Sequence, residues 1–168
     1  MSSGEREGSA VPSDLALRYI WQAGSMPPPY HDEYEIRIGP GPAGEVVYVP
    51  DYPQHNPPTW REPFPVTAEA LARLYALLEE AGLFQRAWRR RERGATGGEL
   101  AWLEVTAGGR TVKVPAQLAA RDAEALAPVY AAVRALVPAA LWQALEARRE
   151  ADASGIEGPD AEAAESAE

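Results

Sequence analysis

The stretch VTAEALARLYALLEEAGLF, residues Val66–Phe84, decides the fold because it is the clearest helix signal in the chain. Its apolar side chains Leu71, Leu74, Tyr75 and Leu78 recur at spacings of three and four residues. This period places them in one stripe along a helix, the pattern of a helix that buries one face. The stretch therefore predicts an amphipathic helix packed on a core.

Both ends of this helix carry recognisable capping signals. Thr67 is a good N-cap residue, and Val66 and Leu71 are spaced for a hydrophobic staple. Gly82 fits the C′ position, where a left-handed backbone conformation ends a helix, and Leu83 can pack back onto the last turn. These signals predict a helix that begins after Thr67 and ends just before Gly82.

Short runs with a period of two residues lie on both sides of the helix, and this period is typical of half-buried β-strands. Loops rich in glycine connect two pairs of consecutive runs, and one of these loops, Gly108-Gly109, is a typical hairpin turn. The runs are LALRYIWQ (15–22), EYEIRI (33–38), EVVYVP (45–50), LAWLEV (100–105) and TVKV (111–114). We therefore predict about five strands.

Residues 122–150 read as two helical pieces that follow the second hairpin. Asp122 is placed to cap the first piece, Pro128 falls near its first turn or kinks it, and Pro138 fits the first turn of the second piece. The element order is β-β-β-α-β-β-α-α, which predicts an α+β fold with a mainly antiparallel sheet and helices on one face. The order resembles that of small bacterial α+β inhibitor domains of the emfourin type; since no residue motif accompanies it, no residue role follows.

The ends of the chain differ in composition from its middle. Residues 151–168 carry six acidic and no basic side chains; without them, the other 25 − 6 = 19 acidic residues face 16 basic ones, and the net charge changes from −9 to −3. Such a segment buries too little apolar surface to fold. We predict disordered tails at residues 1–12 and 151–168 around a single domain of residues 13–150.

The composition excludes several functional classes. With no cysteine in the chain, disulfides, thiolate zinc sites and thiol nucleophiles are excluded. We expect no cofactor, no bound metal and no membrane span, because no apolar run is long enough to cross a bilayer. The polar N-terminus predicts a cytoplasmic protein, and the preference for arginine over lysine is typical of bacteria with genomes rich in G and C.

The two histidines are the first candidate site. His31 and His55 lie in neighbouring loops beside the carboxylates Asp32, Glu33 and Asp51, and imidazole and carboxylate groups are suitable ligands and proton carriers. A ligand-binding, metal-binding or enzymatic site near His31 and His55 is therefore one hypothesis. No local spacing holds two ligands on one face, so the preferred interpretation is that of loop histidines beside a solvated strand. Since no serine elbow or phosphate loop is present either, we predict that the protein is not an enzyme.

The run RAWRRRER, residues 86–93, is the second candidate site. Its five arginines could bind an anion, and Trp88 could stack on a base. The local charge is only +4 in an acidic protein, and this argues against nucleic acid, which needs a broad basic face. The alternative is a solvated connection with Trp88 folded back on the core. The candidate anion-binding residues are Arg89, Arg90, Arg91 and Arg93.

The segment DYPQHNPPTWREPFP, residues 51–65, is the third candidate site. Five prolines in these fifteen residues exclude a helix or a central strand, so we interpret it as an ordered loop. It could simply cover the face of the sheet opposite the helices. The preferred functional hypothesis is a protein-binding or self-association surface around residues 48–65, with Tyr48, Tyr52, His55 and Trp60 as contact residues.

Overall fold

The computed structural model describes residues 9–28, 30–92 and 98–156, with side chains as far as Ser154. The chain divides into two compact units, with the boundary between Val137 and Pro138. The predicted limits of a single domain at residues 13 and 150 remain a prediction.

Among the described residues, the first unit contains six strands and two of the three helices. The strands are β1 (Ala16–Gln22), β2 (Glu33–Ile38), β3 (Ala43–Val49), β4 (Trp60–Pro65), β5 (Leu100–Ala107) and β6 (Arg110–Val114). Its helices are α1 (Ala68–Glu80) and α2 (Ala120–Leu136), and a single 3-10 turn spans Pro53–His55. The second unit contains α3 (Ala139–Ile156).

The six strands form one sheet in the order β4-β3-β2-β1-β5-β6, and every neighbouring pair is antiparallel. The predicted α+β class with an antiparallel sheet is confirmed. The Gly108-Gly109 turn adopts the left-handed backbone that glycine favours, with φ values of 59° and 72°. The prediction of about five strands falls one short.

The missing strand is β4, which lies inside the proline-rich segment that we interpreted as a loop. It is an edge strand, paired on one side with β3. On an edge strand every second backbone amide points away from the sheet, and Pro63 and Pro65 are two residues apart, so neither has to donate to β3. Prolines exclude a central strand and are compatible with this edge.

One face of the sheet forms the core of the first unit. Cross-strand partners place its buried side chains on the same side of the sheet. Helix α2 lies on this face, since the ring of Tyr130 contacts that of Tyr19 at 5.2 Å, and α1 packs against α2. The buried residues of this face are Leu17, Tyr19, Tyr34, Ile36, Ile38, Val46, Tyr48, Trp60, Phe64, Leu103, Val105, Ala107 and Val114.

The opposite face carries a ladder of charges across β1, β2 and β3. The Glu35 carboxylate accepts hydrogen bonds from Arg18 Nε at 2.5 Å and Arg37 Nε at 2.6 Å. Burial raises the pKa of Glu35, but the two guanidinium groups together outweigh it and hold the pKa below its usual value. Polar cross-strand pairs of this kind are typical of a sheet face turned to water.

Helix α1 begins and ends where its sequence predicts. Thr67 Oγ1 accepts a hydrogen bond from the amide of Ala70 at 3.1 Å, the bond of an N-cap. At the other end Gly82 has φ of 69°, and the amide of Leu83 donates to the carbonyl of Leu78 at 3.0 Å. Leu83 is fully buried, so the Schellman contact is confirmed.

We expect Gly82→Ala to lower the free energy of unfolding by about 1 kcal/mol, because alanine is strained at positive φ. No steric clash contributes, since the nearest heavy atom to an added Cβ is Gln85 Oε1 at 3.8 Å. Urea denaturation followed by circular dichroism measures the change. Gly82→Asn is the control and should cost less, because asparagine tolerates this conformation better. A Gly82→Ala protein as stable as the wild type would contradict the cap.

Two details of the C-terminal segments differ from the prediction. Helix α2 begins at Ala120, after Ala119, so Asp122 lies in its first turn, and the helix runs through Pro128. Helix α3 continues to Ile156, so the first six residues of the predicted acidic tail are helical. The rest of that tail, residues 157–168, and residues 1–8 of the N-terminal tail lie outside the described residues.

Candidate interaction surface

Two loops meet at one end of the sheet. The first joins β1 to β2 and the second joins β3 to β4. They lie at the same end because Gln22 pairs with Glu33, Glu33 with Val49 and Tyr48 with Trp60. We call residues 23–28, 30–32 and 50–59 the two-loop surface.

A ring stack fastens the two loops to each other. The imidazole of His31 and the phenol of Tyr52 lie parallel, with ring centroids 3.7 Å apart and an interplanar angle of 9°. The Tyr52 hydroxyl also donates to the carbonyl of Met26 at 2.7 Å. Tyr52 thus holds the second loop on the first in two ways, through its apolar ring and through its polar hydroxyl group.

His31 is a structural residue in this arrangement. It is only 3% exposed, and its Nε2 lies 2.9 Å from Glu33 Oε1. Its Nδ1 lies 3.4 Å from the carbonyl oxygen of Gly24. Because both ring nitrogens face acceptors of the protein, neither is directed at a ligand or substrate.

His55 contacts the same tyrosine from the side. Its ring meets that of Tyr52 edge-on at 5.8 Å, and its Nδ1 lies 2.9 Å from Asp51 Oδ2. Burial raises the pKa of Asp51, but hydrogen bonds from His55 and from the Tyr52 amide outweigh it and lower the pKa. Each histidine thus has its own carboxylate, and among the described residues no group of three or more histidines and carboxylates could hold a metal ion.

The four candidate contact residues separate into two pairs. Tyr52 and His55 lie on the two-loop surface. Tyr48 and Trp60 are buried in the core, where their rings stack at 5.8 Å with an interplanar angle of 2°. Trp60 does not cover the face of the sheet opposite the helices, because it lies across from Tyr48 on the core face.

The exposed large apolar side chains of the two-loop surface were missed from sequence. Met26 and Tyr30, in the first loop, are large apolar side chains that are 45% and 64% exposed. The sequence prediction rested on the longer proline-rich segment, although the first loop also joins prolines to a tyrosine in Met26–Tyr30, MPPPY. An aromatic residue beside consecutive prolines was the signal that could have found it.

The arginine run folds back on its neighbours as far as it is described. The Arg86 guanidinium lies 4.2 Å from the Trp88 ring and 3.5 Å from Asp122, and Trp88 Nε1 donates to the carbonyl of Leu83 at 2.9 Å. Trp88 is therefore engaged on the core, as the non-functional interpretation expects. Arg89, Arg90 and Arg91 are exposed, and Arg93 lies outside the described residues.

No protein-family model matches this chain, and no curated protein is significantly similar to it. Within the described residues no single helix is long and apolar enough to cross a membrane, although α2 and α3 pass that test when they are counted together.

Proposed function

We propose that this chain is a non-catalytic protein-interaction module of the bacterial cytoplasm, and that it binds a protein partner through the two-loop surface. The observation that carries the proposal is the exposure of Met26 and Tyr30 on loops that are otherwise fastened down. A flexible thioether and a tyrosine ring are side chains that interfaces favour. Burying them against a partner would remove apolar surface from water.

Contacts between the two loops support the proposal. The His31–Tyr52 stack and the hydrogen bond from Tyr52 to Met26 hold the first loop in place. Prolines restrict the backbone of both loops, so little conformational freedom is left to lose on binding. The prolines at described positions are Pro27, Pro28, Pro50, Pro53, Pro57 and Pro58.

The charges around Met26 and Tyr30 indicate the chemistry of the partner. The carboxylates of Asp32, Glu33 and Asp51 lie in the same loops or directly after them. Acidic residues at the rim of an interface attract basic residues and disfavour acidic ones. We therefore infer a partner that offers an apolar groove with lysine or arginine at its edge.

The experiment uses the tagged full-length chain to capture proteins from a lysate of its own cells. The bound protein is identified, purified and titrated against wild type and the Met26→Ser/Tyr30→Ser double variant. We expect the double variant to bind roughly thirtyfold more weakly, because truncating interface anchors costs about 2 kcal/mol or more. The acidic rim further predicts that binding weakens as salt rises.

Trp102→Ser is the matched control. Trp102 is a half-exposed aromatic residue on the face of the sheet that is turned away from α2. The control should leave the affinity for the partner unchanged, provided that both variants melt within a few degrees of wild type. Equal affinity for wild type and the double variant would refute the proposal. A loss confined to Trp102→Ser would transfer the interface to the other face of the sheet.

A further inference from the structure

A cleft of about 400 Å³ opens between α2 and the end of the sheet where β1 and β5 lie side by side. It is distinct from the two-loop surface and from the arginine run. The residues that matter among its lining are Tyr19, Trp21, Glu99, Ala127, Tyr130 and Arg134. Its volume is at the small end of the range found for ligand pockets, so it suits a compact molecule.

The cleft exists because α2 presents small side chains to it. Ala123, Ala127 and Ala131 follow one another at intervals of four residues, so they line one side of the helix and leave the space unfilled. Tyr130, also on α2, rests its ring on Tyr19 of β1 at 5.2 Å. The α2 wall of the cleft thus carries small alanine side chains, and aromatic rings line the other sides. Such a surface favours an apolar group.

Two side chains of opposite charge line the same cleft. Glu99 accepts a hydrogen bond from Trp21 Nε1 at 3.0 Å, which uses one of its two oxygens. Arg134 belongs to α2, and its guanidinium carbon lies 5.9 Å from the ring of Tyr34. Burial raises the pKa of Tyr19, the charge of Arg134 lowers it and the charge of Glu99 raises it further. Both charges therefore act on the same Tyr19 hydroxyl group.

Within the described part of the chain, a polar atom without a hydrogen-bond partner lies buried in the wall of the cleft. The Tyr130 hydroxyl is buried and has no hydrogen-bond partner among the described residues. Burial raises the pKa of Tyr130, so the phenol stays neutral and can donate. A buried hydroxyl is normally hydrogen-bonded, so this unsatisfied group is an unusual feature of the wall of the cleft.

We propose that this cleft binds a free α-amino acid with an apolar or aromatic side chain. The ammonium group pairs with Glu99, the carboxylate pairs with Arg134, and the side chain lies against Ala127 and Tyr19. A simple carboxylic acid would leave Glu99 facing an anion, and a simple amine would leave Arg134 facing a cation. Only the zwitterion matches both charges, and this discriminates against the two simpler classes.

The test titrates the full-length chain with L-phenylalanine and, separately, L-leucine, 3-phenylpropionate and 2-phenylethylamine. The indole N–H of Trp21, assigned with Trp21→Phe, reports binding by nitrogen-15 NMR. We expect a saturable shift with at least one of the two amino acids. Each analogue that lacks one charged group should bind roughly ten- to a hundredfold more weakly, the value of a charge-assisted hydrogen bond.

Variants separate the cleft from other sites. Glu99→Gln keeps an acceptor for the Trp21 indole and removes the charge, so it should weaken amino-acid binding and leave 3-phenylpropionate binding equal or stronger. Ala127→Leu should fill the cleft and abolish binding, whereas Ala135→Leu, at an exposed position of α2 outside the cleft, should leave it intact. Absence of a saturable shift with both amino acids would overturn the proposal, as would unchanged binding to Ala127→Leu.

Discussion

We expect Leu74→Ala to lower the free energy of unfolding by about 2–5 kcal/mol, the range for leucine truncation in a packed core. Leu74 lies on α1 and is only 1% exposed. It belongs to the apolar stripe that α1 turns inward, together with fully buried Leu78. Truncation removes a buried side chain and leaves a cavity that the surrounding residues fill incompletely.

Urea denaturation monitored by circular dichroism and by tryptophan fluorescence measures the loss. Arg73→Ala, one residue earlier on α1, is the control. Arg73 forms an ion pair with Glu69 at 2.7 Å, but both side chains are mostly exposed, and such pairs contribute little. We expect this control to change stability by less than about 0.5 kcal/mol. If Leu74→Ala were as mild as Arg73→Ala, α1 would not face the core.

Gly44→Ala should be the second most damaging change, at about 1–3 kcal/mol, the usual cost of overpacking a core. Gly44 lies on β3 directly opposite Phe64 of β4. A Cβ at this position would lie 2.5 Å from two carbon atoms of the Phe64 ring. The ring is buried, so it cannot swing into water without losing its own contacts.

A double-mutant cycle tests this contact directly. Phe64→Leu removes the ring edge that an added methyl group would meet. In that background we expect Gly44→Ala to cost at least 1 kcal/mol less than in the wild type, because contacting residues couple. Thermal unfolding of the four proteins gives the coupling energy. Additive effects would mean that β4 is not paired with β3 in this register.

The local elements of this fold could be predicted from the sequence because each has a local cause. Alternation of apolar and polar residues predicts β1 and β2, the Thr67 and Gly82 signals limit α1, and the Gly108-Gly109 pair turns the second hairpin. In each case the decisive residues are only a few positions apart. The class of fold follows from the order of these elements.

Strand β4 could not be predicted in this way. Its prolines argue against a strand until the neighbours are known, and only its place at the sheet edge makes Pro63 and Pro65 acceptable. The same holds for Trp60, whose burial depends on Tyr48 across the strand pair. A long-range partner decides the structure here, and no local pattern encodes it.

The two-loop surface likewise depends on long-range contacts that no local pattern encodes. The sequence placed His31 and His55 in neighbouring loops and indicated the proline-rich segment as a candidate surface. It did not indicate that His31 is buried beneath Tyr52, which follows 21 residues later. Stacking between loops depends on the sheet register that brings their ends together.

The most direct measurement of the central claim is a set of nuclear Overhauser contacts between the ring protons of His31 and Tyr52. The account predicts strong cross-peaks between them, together with slow exchange of any His31 ring N–H that donates to Glu33 or Gly24. Rings that show no contact, with Tyr52 mobile in solvent, would contradict it. The two loops would then be separate, and Met26 and Tyr30 would not belong to one preformed surface.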